Sequence, residues 1–182
     1  MPLVFLDRDG VIVRFPGKGS YVTRLKDFRV LPNAVKGIRL LTKAGHRLHV
    51  ISNQGCVSRG LVTRAQLGRM TQLMLKIIRR GGGKISRVHY CPHQSSDRCR
   101  CKKPKTFLLK KAAHGHPGPR NKMFFIGDSE VDIQAGHRFG CRTILVLTGR
   151  SQKKDVRFFS VKPDLIKKDL YQAARWILSQ RT

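Results

Sequence analysis

The residues best suited to chemistry are Asp7-Arg8-Asp9-Gly10, which follow the apolar run Pro2 to Leu6 directly. Side chains two apart in an extended segment point to the same side, so Asp7 and Asp9 can share a site while Gly10 lets the chain turn away. Two carboxylates so close repel one another unless a proton or cation resolves the repulsion, and Mg²⁺ does so with oxygen ligands. An isolated Asp-x-Asp is usually a solvated turn. Here three further elements follow in order. Ser52-Asn53-Gln54 ends a second apolar run and offers a hydroxyl and backbone N–H groups to phosphate oxygens. Lys103-Pro104 offers an ammonium that can neutralise a phosphate and an attacking carboxylate. Gly127-Asp128-Ser129 with Asp132 adds a third carboxylate for a metal, Asp128, and one that can orient Lys103, Asp132.

A second constellation is Cys91-Pro92-His93 with Cys99-Arg100-Cys101. Cys91, His93, Cys99 and Cys101 form two close pairs of soft or borderline ligands, which suits a closed, structural, tetrahedral Zn²⁺ site. Its loop, 91–101, ends just before Lys102-Lys103 and would pin them. A redox role for the cysteines is the alternative. His89, His114 and His116 match no such ligand spacing.

The ordered set Asp7-x-Asp9, Ser52, Lys103 and Gly127-Asp128 with Asp132 resembles the haloacid dehalogenase superfamily over nearly the whole chain. The resemblance implies an aspartyl-phosphate mechanism. Asp7 would be the nucleophile and Asp9 the general acid and base. Mg²⁺ would sit on Asp7, the backbone carbonyl of Asp9, and Asp128. Ser52 and Lys103 would clamp the phosphoryl group, with Asp132 orienting Lys103.

The zinc loop narrows the resemblance to two families, the heptose-bisphosphate 7-phosphatases and the histidinol-phosphate phosphatases. The Asp-Arg-Asp-Gly-Val opening, Tyr21-Val22, Leu31-Pro32, and Asn53-Gln54 followed by Arg59-Gly60 look like the heptose family. On that likeness Asn53, Arg59 and Lys102 join Ser52 and Lys103 as substrate-binding candidates, Arg59 near the phosphates. Three departures leave the substrate less defined than the reaction. Lys102 stands where both families usually have arginine, which removes a bidentate fork. Thr106-Phe107 replaces a usual Pro-Gly, and Gly55-Cys56 a common Ser-Gly. Lys103-Pro104-Lys105 with Leu108-Leu109 reads more like the histidinol phosphatases.

The elements that must position these residues alternate in type. Strands are predicted at 2–6, 47–52, 85–90, 123–126, 142–147 and 164–166. Helices are predicted over 33–44 (N-cap Asn33, stop Gly45), 63–80 (capping box Thr63/Gln66; apolar face Leu67, Met70, Met74, Ile77), 107–114, 131–139, and after Asp169. This alternation implies a Rossmann-like α/β three-layer sandwich, a mostly parallel sheet with helices on both faces. Sites in such sheets lie beyond the carboxyl ends of the strands, where the polar motifs fall. With no large insert, we expect one phosphatase domain over 1–182 without a large cap, and a monomer.

The 182 residues carry 38 Lys and Arg against 10 Asp and Glu, a formal net charge of +28. No acid occurs between Asp27 and Asp97, and four of the ten acids lie in the two carboxylate motifs. The excess favours an anionic substrate or non-specific nucleic-acid and polyanion binding; a general bias toward basic surfaces explains it equally. No apolar run approaches a membrane span, and an acid at position 7 comes too early for a signal peptide, so a cytoplasmic location is expected. The leading expectation is a phosphatase acting on a phosphorylated small molecule, a heptose bisphosphate ahead of histidinol phosphate. A different class stays open: a polynucleotide 3′-phosphatase or a basic subunit bound to RNA or DNA. Aromatic content of 7% speaks against extensive base stacking.

Overall fold

The computed structural model describes residues 2–180; Met1, Arg181 and Thr182 of the expected 1–182 span lie outside them. Six strands form one sheet: β1 (Leu3–Leu6), β2 (Arg47–Asn53), β3 (Arg87–Cys91), β4 (Phe124–Gly127), β5 (Arg142–Val146) and β6 (Leu165–Lys167). Their order is β3-β2-β1-β4-β5-β6 and every pair is parallel. The expectation of a mostly parallel sheet is thus met by a wholly parallel one. The helices are α1 (Pro32–Lys43), α2 (Arg64–Arg80), α3 (Phe107–Ala113), α4 (Glu130–Phe139) and α5 (Leu170–Ser179).

The two-residue period of the strands divides the core. Val4 and Leu6 of β1, with Leu48, Val50 and Ile126, face Ile38 and Leu41 of α1, Met70 and Met74 of α2, and Ala173 and Ile177 of α5. Leu3 and Phe5 point the other way, with Ile51 and Phe125, against Leu109 of α3 and Phe139 of α4. Phe5 is wholly buried and meets Phe125 and Phe139 edge-on, with ring centroids 6.2 and 5.7 Å away. Both faces of β1 are therefore covered, which fixes the direction in which Asp7 leaves the strand.

Some boundaries differ from expectation. Asn33 does not cap α1. Pro32 takes the first helical turn, its fixed φ suiting that position, and Leu31 is the cap residue without a side-chain bond. Asn33 Nδ2 donates instead to Asp169 Oδ2 (2.7 Å), while Oδ1 of Asp169 accepts the Gln172 N–H and caps α5. On α2 the capping box of Thr63 and Gln66 forms, but Ile78 rather than Ile77 is buried. Asp164 precedes β6 and accepts from both N and Oγ1 of Thr143 (2.7 Å each). Among the described residues, no helix is long and apolar enough to cross a membrane.

Candidate active site

The connections reverse direction between β1 and β4, and such a switch point opens a crevice at the carboxyl ends of the strands. Asp7 follows β1 and stays in register, its N–H donating to the carbonyl of Ile126 (3.0 Å). Asp128 follows β4. One carboxylate oxygen from each of Asp7, Asp128 and Asp132 lies within 4.8 Å of the other two. All three residues are buried.

Lys103 enters this cluster from the loop before α3. Its Nζ donates to Asp132 Oδ1 (2.6 Å) and to the carbonyl of Ile51 (2.9 Å), and lies 2.9 Å from Asp7 Oδ1. The last contact is an ion pair without hydrogen-bond alignment, and Asp7 Oδ1 has no aligned donor among the described residues. Burial alone would push Lys103 down, but Asp132 and Asp7 hold it above its ordinary range. Asp132 is the third residue of α4, and its Oδ2 accepts from N and Oγ of Ser129 (3.2 and 2.6 Å). One carboxylate therefore starts a helix and fixes the lysine.

Asp128 is wedged between two chain segments. A Cβ at Gly10, which has φ +84°, or at Gly149 would collide with Oδ2 of Asp128. That oxygen accepts the N–H of Arg150 (2.7 Å). Burial, with the nearby charges of Asp132 and Asp7, pushes Asp128 well above the ordinary carboxylate range. Burial likewise raises Asp7 to about 6; Lys103 opposes the shift, and Asp132 and Asp9 add to it. Among the described residues the four aspartates make ion pairs only with Arg8 and Lys103. The two charges left over fit a divalent cation on Asp7 and Asp128, since Asp132 is occupied by Lys103 and Ser129.

Asp9 is held differently. Arg8 grips it with a fork, Nε to Oδ1 (3.0 Å) and Nη2 to Oδ2 (2.8 Å), and Gln54 Nε2 donates to Oδ2 (2.8 Å). Arg8 is 1% exposed, its guanidinium against the rings of Phe28 and Tyr90 at 5.7 and 5.8 Å. The same Gln54 amide donates to Ser52 Oγ (3.1 Å), which leaves the Ser52 hydroxyl proton for a bound anion.

The resulting cleft has a volume of about 130 Å³. The structure brings Asp7, Asp9, Ser52, Asn53, Lys103, Asp128 and Asp132 into its wall, with Phe15, Ser20, Tyr21, Ser129, Val131 and Arg150. Two sequence candidates stand outside it. Arg59 is exposed, its guanidinium 5.7 Å from the ring of Tyr21. Lys102 donates its Nζ to the His93 carbonyl (3.2 Å). Asn53 is in the wall, but its amide is used on Lys103: Oδ1 accepts the Lys103 N–H (3.0 Å) and Nδ2 donates to the Lys103 carbonyl (3.2 Å).

The HAD-hydrolase-like family model matches residues 100–173. The D-glycero-β-D-manno-heptose-1,7-bisphosphate 7-phosphatase of Pseudomonas putida is 33% identical over 84% of this chain and 86% of its own length. The D-glycero-D-manno-heptose-1,7-bisphosphate 7-phosphatase of Chlorobaculum tepidum is 32% identical over 99% of this chain and 96% of its own. This chain belongs to the heptose-bisphosphate phosphatase family of HAD-like hydrolases. A crystal structure of the Bordetella bronchiseptica D,D-heptose 1,7-bisphosphate phosphatase, complexed with magnesium and phosphate, superposes with a TM-score of 0.91. It is 28% identical and covers all of both chains. The chain is a phosphatase of this family.

The Cys/His loop of this phosphatase is also assembled. Cys91 Sγ lies 3.7 Å from His93 Nδ1, 3.6 Å from Cys99 Sγ and 3.1 Å from Cys101 Sγ. Cys101 Sγ lies 3.2 Å from His93 Nδ1 and 3.6 Å from Cys99 Sγ. Bonds of ~2.3 Å to a tetrahedral zinc place ligand atoms roughly 3.7 Å apart, whereas a disulfide needs ~2.05 Å. Burial opposes ionisation of Cys99, but the N–H groups of Lys102 and Cys101 and the neighbouring thiols outweigh it and bring it down to about 7. The four residues could hold one zinc.

Arg8, Gly149 and Arg150 escaped the sequence reading. Arg8 stands in the quoted Asp-Arg-Asp-Gly, yet a charged residue beside two acids signals solvation rather than burial. Gly149 and Arg150 meet Asp128 across more than twenty residues, and no local spacing marks them.

Proposed function

We propose that this phosphatase removes the 7-phosphate of D-glycero-D-manno-heptose 1,7-bisphosphate, with Mg²⁺ at Asp7, the Asp9 carbonyl and Asp128. The observation that carries the mechanism is Lys103, buried and shared between Asp7 and Asp132 at one end of a cleft sized for a phosphoryl group. The Pseudomonas and Chlorobaculum relatives support the substrate, and the magnesium and phosphate bound by the Bordetella enzyme support the cofactor.

A carboxylate oxygen of Asp7 attacks phosphorus in line, forming an acyl phosphate as the bond to the sugar oxygen breaks. Asp9, protonated in the substrate complex, gives that proton to the departing oxygen. It then takes a proton from the water that attacks phosphorus, which releases phosphate and restores Asp7. Lys103 and Ser52 hold the equatorial oxygens, and Asp132 keeps Lys103 in place. Mg²⁺ supplies charge neutralisation, so that an anion can approach an anion. Arg59 and Lys102 belong to the rim: a substrate reaching past Tyr21 would meet Arg59. The closed Cys91, His93, Cys99, Cys101 set holds a structural zinc that fixes the loop delivering Lys103. One chain is the active unit.

The deciding experiment is phosphate release from the heptose bisphosphate, histidinol phosphate and a 3′-phosphorylated oligonucleotide under identical conditions. The proposal expects kcat/KM for the bisphosphate to exceed the others by at least about tenfold. A preference for histidinol phosphate would show that the Lys103-Pro104-Lys105 context sets the specificity instead.

A further inference from the structure

A larger hollow lies at the opposite end of the sheet from Asp7. It measures about 600 Å³ and opens between the N-terminal ends of β2 and β3, the last turn of α3, and the turn after α1. Its walls include Arg47, His49, Lys84, Arg87, Lys111 and His114, and no carboxylate. None of its Lys or Arg side chains makes an ion pair among the described residues. The stretch from Arg47 to Arg87 lies wholly within the acid-free span of the sequence.

Surface lysines alone would be unremarkable on so basic a chain, but His49 is not a surface residue. It is 6% exposed, lines the hollow, and has Nδ1 without a partner. Its ring stacks on that of His89, centroids 5.7 Å apart, and His89 Nε2 is also buried and unpartnered. In the tautomer with hydrogen on Nδ1, His49 presents a buried donor without an acceptor beside uncompensated cations, which is costly unless a ligand in the hollow supplies acceptors and negative charge. Burial and the charges of His89, Arg87 and Arg47 push His49 down to about 4, so its ring is neutral and offers one N–H.

We infer that this hollow is a second anion site, built to take a short chain of phosphoryl groups rather than a single phosphate. Cations converge on it from separate elements, and long basic side chains spread over such a space match several charges in a row. Its volume is several times that of the catalytic cleft. No Phe, Tyr or Trp lines it, so it lacks the large aromatic platforms on which successive bases stack.

The test is calorimetric titration of the full chain with inorganic tripolyphosphate and with ATP at physiological salt. Both should bind with Kd values within about threefold of each other, because only the phosphate chain is read. Arg47→Glu with Arg87→Glu should weaken both by at least about tenfold while leaving kcat/KM for phosphate release within about twofold. Arg69→Glu with Lys76→Glu, an equal charge change on the exposed face of α2, should leave binding within about twofold. Absence of tripolyphosphate binding, or an equal loss in the α2 variant, would overturn the inference. So would a single-stranded oligonucleotide that binds more tightly than tripolyphosphate and depends on the same two arginines.

Discussion

Asn53 holds Lys103 by its backbone on both sides, accepting the Lys103 N–H at 3.0 Å and donating to the Lys103 carbonyl at 3.2 Å. The last residue of β2 thereby fixes the position from which Lys103 reaches Asp7 and Asp132 across the sheet. Asn53→Ala leaves both backbone groups without this partner, at about 1–3 kcal/mol. It should lower kcat by roughly tenfold or more with a smaller effect on KM, because it moves the lysine rather than removing a substrate contact. Steady-state kinetics with a denaturation curve checks this. A rise confined to KM would mean that Asn53 binds substrate directly.

Arg8 pairs with Asp9 from a wholly buried position, while Asp9 keeps 22% of its side chain exposed. Arg8→Met fills similar volume but leaves the carboxylate with Gln54 as its remaining side-chain donor. The expected cost is about 3 kcal/mol, at the low end for breaking a buried pair from one side, since water still reaches Asp9. Urea denaturation measures it. A variant as stable as the parent would show that the pair contributes nothing to the fold.

Zinc content is the third expectation. Purified protein should carry about one zinc per chain, and a strong chelator should lower both Tm and kcat. The loss of kcat follows because the loop from Cys91 to Cys101 leads into Lys103. Metal-free protein with unchanged Tm and activity would remove zinc from the account.

Magnesium should stabilise the protein more as pH rises. Asp7 is raised from 3.8 to about 6, and Asp128 is raised as well. A raised carboxylate contributes stability below its unfolded value and loses that contribution as pH climbs through the folded value. Metal-free protein should therefore lose the Asp7 contribution as pH rises from about 4 through about 6, and the raised Asp128 acts in the same direction. Mg²⁺ binds the ionised pair, so the difference in Tm with and without Mg²⁺ should grow across that window. A constant difference would place the metal elsewhere.

Much of the sheet was legible in the sequence because its strands are short apolar runs covered on both faces, as Leu3 to Leu6 shows. The α2 start was legible because a capping box is a local pattern. The α1 start misled because Asn33 has the right chemistry for a cap, yet Pro32 already supplies the helix start and Asp169 takes the Asn33 amide. The cleft carboxylates were marked by scarcity and by position after apolar runs. Arg8 was not, because its burial depends on Phe28 and Tyr90, far away in the chain. The bonds from Asn53 to the Lys103 backbone were hidden for the same reason: Lys103 is fifty residues away.

The central claim is that Asp7 carries the phosphoryl group, and Asp7→Asn tests it most directly. Phosphate release from the heptose bisphosphate should fall below detection in this variant, because an amide cannot serve as the attacking oxygen nucleophile. The same sample should keep its fold, with a Tm no lower than the parent's in metal-free buffer, since a buried and mutually repelling charge has been removed. Full phosphatase activity in Asp7→Asn would contradict the account.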